Sequence, residues 1–295
     1  MHVLGKEGFT YGGQAVIEGV MMRGRRSIAI AVRKPDSSIV VQNKPIKMLT
    51  ERYPILGLPV IRGVFAFIET LIIGFDALMF SADQAGATEE EQLKPWELTV
   101  TVIVAFALFV GLFIVLPNVV AVWVQKTVHN RVLVNLAEGV FRIALFIAYI
   151  VAVSRINDIQ RVFQYHGAEH KVIHTFEAGE QLSVENARCH TILHPRCGTA
   201  FLLIVMVTMV LIFSVFLRAT NLSMRILTRL ALLPIVTGIS YEVIKLAGRP
   251  NPPKFIQWII APGLWLQKLT CKEPDDDQIE VAIRALTNVL EADGA

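Results

Sequence analysis

Twenty-eight consecutive residues, Leu98 to Gln125, carry no charged side chain. An apolar run longer than about 18 residues reads as a transmembrane helix, because a soluble helix of that length would need protein packed on every face. Composition points the same way. The 295-residue chain is 54% hydrophobic and 18% charged, against roughly 45–50% and about 25% in a soluble domain, and its mean hydropathy is +0.53. The apolar residues fall in blocks, which argues against an ordinary soluble enzyme. The first 50 residues hold charges and no apolar signal-peptide core, so targeting is expected from internal spans.

Residues 98–120 form the strongest predicted span. Residues 136–154 form another, with Glu138 and Arg142 near one end, where Arg142 is placed to snorkel to the headgroups. Residues 199–217 are a third span, and 230–247 a fourth, interrupted by Pro234, Glu242 and Lys245. Phe255–Gln267 is short for a crossing and, with Trp258 and Trp265, reads as interfacial.

Residues 59–84, entered through Pro59 in a first helical turn, are apolar apart from Arg62, Glu69, Asp76 and Asp83. Charges seven residues apart drift only about 20° per step, so they share one helix face. Such a helix lies in the interface, re-enters the bilayer, or packs its stripe against protein.

The ends are expected to be soluble. Ser27–Val32 and Ser38–Val41 read as strands around a Lys34-Pro35-Asp36-Ser37 turn. Asp275–Leu290 reads as an amphipathic helix with an acidic N-terminus and an apolar stripe of Ile279, Ala282, Leu286 and Val289. The run Arg23, Arg25, Arg26 is read as a solvated face or a contact with anionic lipid.

The predicted fold is therefore mainly α: a polytopic helical membrane protein with a small N-terminal β-containing cytoplasmic cap and an amphipathic C-terminal helix. Its segments are a cap with a β-hairpin (1–53), an amphipathic or re-entrant helix (54–97), and a first membrane hairpin (98–154). A His/Cys-rich cytoplasmic segment (155–199), a second hairpin (200–247), and an interfacial segment with the terminal helix (248–295) complete it.

Loop charge chooses an orientation. With four spans, 22 Lys and Arg lie on the side of the termini and 5 on the other; if 59–84 also crosses, the split becomes 15 against 12. Both termini and the histidine segment are thus expected in the cytoplasm, as a multi-pass protein of the plasma membrane.

Five of the seven histidines, His166, His170, His174, His190 and His194, fall within 29 residues. The first three, spaced i, i+4, i+8, line one helix face beside Glu169 and Glu177. Cys189, His190, His194 and Cys197 form a second set, on a turn because Pro195 disfavours helix at His194. Three cysteines are too few for a disulfide framework. Imidazole with thiolate suits a divalent metal, zinc first, with His166, His170, His174, His190, His194 and Cys197 as candidate ligands. Gly167 stands where the HExxH metalloprotease pattern has glutamate, so a peptidase is not indicated. Glu169 is the candidate general base, and Lys171, Arg188 or Arg196 could meet an anionic substrate. A structural or pH-sensitive polar network is the competing reading of the same residues.

The string Gly12-Gly13-Gln14-Ala15-Val16-Ile17-Glu18-Gly19-Val20-Met21-Met22-Arg23-Gly24 resembles the opening signature of the bacterial YqhQ-like membrane family. The resemblance continues through His166-Gly167-Ala168-Glu169-His170-Lys171, through His190-Thr191-Ile192-Leu193-His194-Pro195-Arg196-Cys197-Gly198-Thr199, and into Glu273-Pro274-Asp275. That family has unknown function and is labelled a predicted metal-dependent enzyme, which implies a metal at these positions and no particular reaction. Glu18, inside the first motif, joins the candidate site on that ground.

Two functions follow as expectations. One is a metal-dependent membrane hydrolase acting on a membrane-linked or phosphorylated substrate. The other is a non-enzymatic scaffold or accessory factor for membrane-protein insertion. The expected partners are the lipid bilayer and a membrane complex or second copy, and no nucleic acid.

Overall fold

The computed structural model describes residues 10–46, 53–86, 95–216, 222–249 and 251–294. An antiparallel meander opens the chain: β1 (Gly12–Val16), β2 (Gly19–Arg23), β3 (Ser27–Arg33) and β4 (Ile39–Pro45), in that spatial order. The predicted hairpin is β3–β4, with Val32 facing Val40. The glycine-punctuated stretch before it forms β1 and β2, closed by a two-residue Ile17-Glu18 turn with Glu18 at φ 49°.

Alternation explains the sheet's burial. Val20, Met22, Ala29 and Ala31 face one core with Tyr165, Ala168 and Val172, while Met21, Ile28, Ile30 and Val32 face another with Ala77. Both faces being covered, β2 and β3 read as continuous apolar runs rather than alternating ones.

A single 3-10 turn (Pro54–Gly57) leads to α1 (Ile61–Ala85). The helix starts just after Pro59, behind a left-handed Val60 (φ 69°), so the proline lies outside its first turn. Next come α2 (Pro95–Val110), a π-turn (Gly111–Val115) and α3 (Leu116–Val124), one continuous rod. Pro117 would clash with the carbonyl one turn back; the π-turn, with Leu116 N–H donating to the Gly111 carbonyl, makes room. Then follow α4 (Arg131–Val153), α5 (Asn157–Ala178), the short α6 (Val184–Arg188), α7 (Gly198–Phe216), α8 (Leu222–Ala247), α9 (Lys254–Thr270) and α10 (Asp276–Asp293).

Among the described residues, five stretches are long and apolar enough to cross a membrane: Ile61–Ala85, Val100–Val124, Arg131–Val153, Gly198–Val215 and Ser223–Ala247. The chain has the fold of a polytopic helical membrane protein. The last of these begins earlier than its apolar residues predict. Arg225 and Arg229, expected as loop charges, are helical and buried. Arg142 does not snorkel: it turns inward to Glu138 at 2.7 Å. Three of the four charges of the α1 stripe are paired within the chain, as Arg62–Glu242 (2.5 Å), Glu69–Arg23 (2.9 Å) and Asp76–Lys44 (2.5 Å).

The terminal helix α10 has a capping box between Asp275 and Gln278 and buries its stripe, Ile279, Ala282, Leu286 and Val289, against the sheet and α5. The cap is therefore a three-layer unit, α1 on one face of the sheet and α5 with α10 on the other. Glu169 on α5 ties the layers by accepting from the Gly13 N–H at 2.8 Å.

Candidate functional site

His166, Glu169, His170, His174 and Glu177 all sit on α5, the first three histidines along one face as their spacing requires. The turn 189–197 returns alongside, and α5 side chains take its carbonyls. His170 Nδ1 donates to the Ile192 carbonyl (2.5 Å), His174 Nε2 to that of Leu193 (2.9 Å), and Lys171 Nζ to those of Arg188 and His190 (3.0 and 2.7 Å). His166 Nδ1 donates to the Thr270 carbonyl at 2.9 Å. Each of these imidazoles spends one nitrogen on a backbone oxygen and keeps the other for the site, the arrangement found around metal-ligating histidines. Buried Gln267 fixes the turn itself, accepting from His194 N–H and donating to the His194 carbonyl, both at 2.8 Å.

Two groups of candidate ligands result: His166, His170 and Cys197, and His174, Glu177 and His194, with ligand atoms in each group within 4.8 Å of one another. They adjoin through the His170 and His194 rings, whose centroids are 5.5 Å apart. Cys197 Sγ lies 3.2 Å from His166 Nε2. Burial alone would lower the His166 pKa, but the neighbouring Cys197 thiolate outweighs it and raises the imidazole to about 9. Burial likewise opposes ionisation of Cys197, yet the Cys271 thiol and His166 hold its pKa well below the ordinary thiol value. Cys271 is pushed up, chiefly by donating to Cys197 and also by burial. A divalent ion fits this set by displacing the one proton between His166 and Cys197.

In the second group, burial and the adjacent His194 lower His174 to about 4, and burial lowers His194. Both rings are neutral at pH 7. His194 Nε2 is buried without a hydrogen-bond partner, 3.6 Å from Glu177 Oε2. An imidazole nitrogen and a carboxylate facing each other in this way are donor types that a divalent ion accepts.

The groups do not absorb every predicted residue. His190 is drawn away to Glu180 (3.1 Å) and stands in neither. Glu18 is outside the site: the β1–β2 turn carries it to Arg161 (2.5 Å) and Tyr165, well off the histidine face. Lys171 is consumed by the two carbonyls and by Glu273 at 3.1 Å, and Arg188 pairs with Asp276 at the surface, so neither is an anion contact. Arg196 does line the site and pairs with Glu177. Glu169 is held by Gly13 through Oε1, with Oε2 3.5 Å from His170 Nε2.

Cys271 and Gln267 escaped the sequence reading. The visible clue was Gly167, in the middle of a helix where glycine costs about 1 kcal/mol relative to alanine. A Cβ there would lie 2.1 Å from the Lys272 carbonyl oxygen. Its absence lets the 271–272 backbone lie on α5, anchored by Lys272 N–H to the Phe163 carbonyl at 3.0 Å, and brings Cys271 to the histidines.

The first group opens on a cavity of about 500 Å³ between β1, α1, α5 and α8. Arg23, Arg62, Arg196 and Lys245 supply its positive charge, Glu69 and Glu169 its carboxylates.

A polytopic helical membrane protein whose cap and bundle enclose a His/Cys chamber is the class these features define. The chain belongs to the family described as "Protein of unknown function (DUF1385)", whose profile matches residues 58–292. It is similar to "Uncharacterized protein YqhQ" of Bacillus subtilis (strain 168), at 34% identity over 293 residues, covering 95% of this chain and 92% of that one. No solved structure matches.

Proposed function

We propose that this protein is a multi-pass membrane metalloenzyme that hydrolyses a phosphorylated or membrane-linked anionic substrate at its cytoplasmic face. The observation that carries this reading is the convergence of His166, His170 and Cys197 on the wall of a cavity lined by four cationic side chains. His166 Nε2, His170 Nε2 and Cys197 Sγ would hold the ion, zinc by donor type, with His174, Glu177 and His194 as an adjoining set. A divalent ion there supplies Lewis acidity toward a phosphoryl or carbonyl oxygen. The chain's own groups do the rest. Arg23, Arg62 and Arg196 are each already paired to a carboxylate and present fixed guanidinium planes. Lys245 has no ion pair among the described residues and is the freest cation for an incoming anion. Glu169, oriented by Gly13, is placed to take a proton at Oε2.

The cap supports a specific topology. Strands β1–β4, α5 and α10 share one core, so residues 10–46, 157–178 and 276–293 lie on one side of the membrane. An even number of crossings must separate them. Two of α1, α2/α3 and α4 therefore cross, and α1 is the one that does not. Its Glu69, Asp76 and Ser81 are bonded to the sheet. Between α5 and α10, α7 and α8 cross and α9 does not. With Arg225 and Arg229 removed from the loops, 22 basic residues face 3, which favours termini in the cytoplasm.

A scaffold or insertion factor would dock a partner through the basic cap and the charged stripe of α1, and three of that stripe's four charges are paired within the chain. The test is metal content of protein purified without chelator, wild type beside a His166→Ala/His170→Ala double variant, with release of phosphate from phosphorylated lipid probes. The reading requires stoichiometric metal lost in the double variant. It also requires that Glu169→Gln retain the metal and lose activity about 10²–10⁴-fold. Wild-type protein without bound transition metal would refute it.

A further inference from the structure

At the other end of the bundle, three arginines gather around a single carboxylate. Glu138 on α4 accepts from Arg142 at 2.7 Å and from Arg229 at 2.9 Å through Oε1, while its Oε2 pairs with Arg229 and lies 3.6 Å from Arg225. Asn118 on α3 accepts from Arg229, and Asn135 accepts from Arg225 at 2.8 Å. The four charged side chains are each at most 10% exposed. Sixteen residues of α7 separate Cys197 from Phe213, over whose ring Arg229 sits at 5.2 Å. At 1.5 Å per residue, the cluster lies about 24 Å from the histidine chamber, near the opposite membrane boundary.

The arginines outnumber the carboxylate three to one among the described residues, and the hydrogen bonding of Arg142 and Arg229 is incomplete. Arg142 Nη1 is aimed at the thioether of Met209 (2.6 Å), a weak acceptor. The Nε–H groups of Arg142 and Arg229 are buried and meet no acceptor. Uncompensated guanidinium charge inside a bilayer is costly, and such residues mark ion or ligand positions.

We propose that this cluster binds a phosphate oxyanion, carried by the headgroup of an anionic phospholipid in the leaflet opposite the chamber. Phosphate matches what is missing. It brings negative charge against the excess of positive charge, and several acceptor oxygens that planar guanidinium forks recognise in pairs. Arg225 lies three residues, about 5 Å, inside the start of α8, within reach of a headgroup. The proposal is independent of any chemistry at the histidines.

The full chain in mild detergent would be titrated with phosphatidylglycerol, phosphatidylcholine or inorganic phosphate. Thermal stability would be followed together with native mass spectrometry of retained lipid. Phosphatidylglycerol should raise the melting temperature and remain bound, phosphatidylcholine should not, and Arg142→Gln should weaken binding about tenfold, the equivalent of one charge-assisted hydrogen bond. Arg142→Lys, which keeps the charge, should retain part of it. Stabilisation by inorganic phosphate to the same degree would support the oxyanion site and make the free ion its source. A wild type indifferent to both phosphatidylglycerol and phosphate overturns the proposal without recourse to any variant. Equal phosphatidylglycerol binding by a folded Arg142→Gln overturns it as well.

Discussion

The Cys271 sulfur lies 3.4 Å from His166 Nδ1, although 105 residues separate the two in sequence. It also lies 3.7 Å from His170 Nδ1 and donates to the Cys197 thiolate. Cys271 thus stands behind the candidate ligands, holding their sulfur and both rings. Groups in that position tune a metal site by about 10–100-fold in affinity. Cys271→Ala is therefore expected to weaken zinc binding by about tenfold or more in a competition titration. Cys271→Ser, which keeps a donor, should recover part of the loss, and exposed Cys189→Ser should leave the affinity unchanged. Equal affinities across the three variants would separate Cys271 from the site.

Gly167 makes that arrangement possible, and its replacement inverts an ordinary rule. In an unhindered helix interior, Gly→Ala stabilises by about 1 kcal/mol. Here the added methyl meets the Lys272 carbonyl oxygen, a backbone atom that cannot rotate away. Gly167→Ala should destabilise the protein by roughly 1–3 kcal/mol, the range for overpacking. Thermal melting of the purified protein reads the sign. A raised melting temperature would mean that α5 and the 271–272 segment are not in contact.

How much of this was legible depends on the range of each signal. The histidine triplet was visible because four-residue spacing writes a helix face directly into sequence, and His190 failed because nothing local says that Glu180 takes it. Cys271 follows an apolar helix, 74 residues beyond Cys197, so only the odd glycine at 167 hinted at its approach. Strand β2 was hidden because burial on both faces erases alternation, and β1 because its first two residues are Gly12 and Gly13, which carry no strand signal. Arg225 and Arg229 looked like loop charges because charge was counted without its partners: Glu138, Asn118 and Asn135, on other helices, meet them inside the bundle.

Glu177 supplies a pH signature. Burial alone would raise its pKa, yet the adjacent His194 ring and the Arg196 guanidinium bring it down to about 2. A carboxylate depressed in the folded state contributes stability that is present above its unfolded pKa, near 4.5. That contribution is lost as pH falls toward 2. Wild-type stability should therefore decline between about pH 4.5 and 2 more steeply than that of Glu177→Gln, with the two converging at the acid end. Melting curves in a pH series make the comparison. Parallel curves would show that the carboxylate is not engaged by Arg196 and His194 in solution.

The placement of α1 gives the last prediction. Its length and apolar character suffice for a crossing, so hydropathy cannot decide the matter. The decision comes from partners. Glu69 and Asp76 reach Arg23 and Lys44 on the sheet, and Ile17 N–H donates to Ser81 at 3.2 Å. Crossing would carry Ser81 and Asp83 to the far side and break the last two contacts. It would also put an odd number of crossings between the sheet and α5, which share a core. A membrane-impermeant maleimide should therefore treat Ser38→Cys and Asp83→Cys alike, both protected in intact cells and both labelled after lysis. Lys126→Cys, between α3 and α4, should react from outside. All three positions are exposed, and in a Cys189→Ser background the two remaining native thiols are buried. Labelling of Asp83→Cys in intact cells, with Ser38→Cys still protected, would make α1 a fifth crossing and dissolve the three-layer cap.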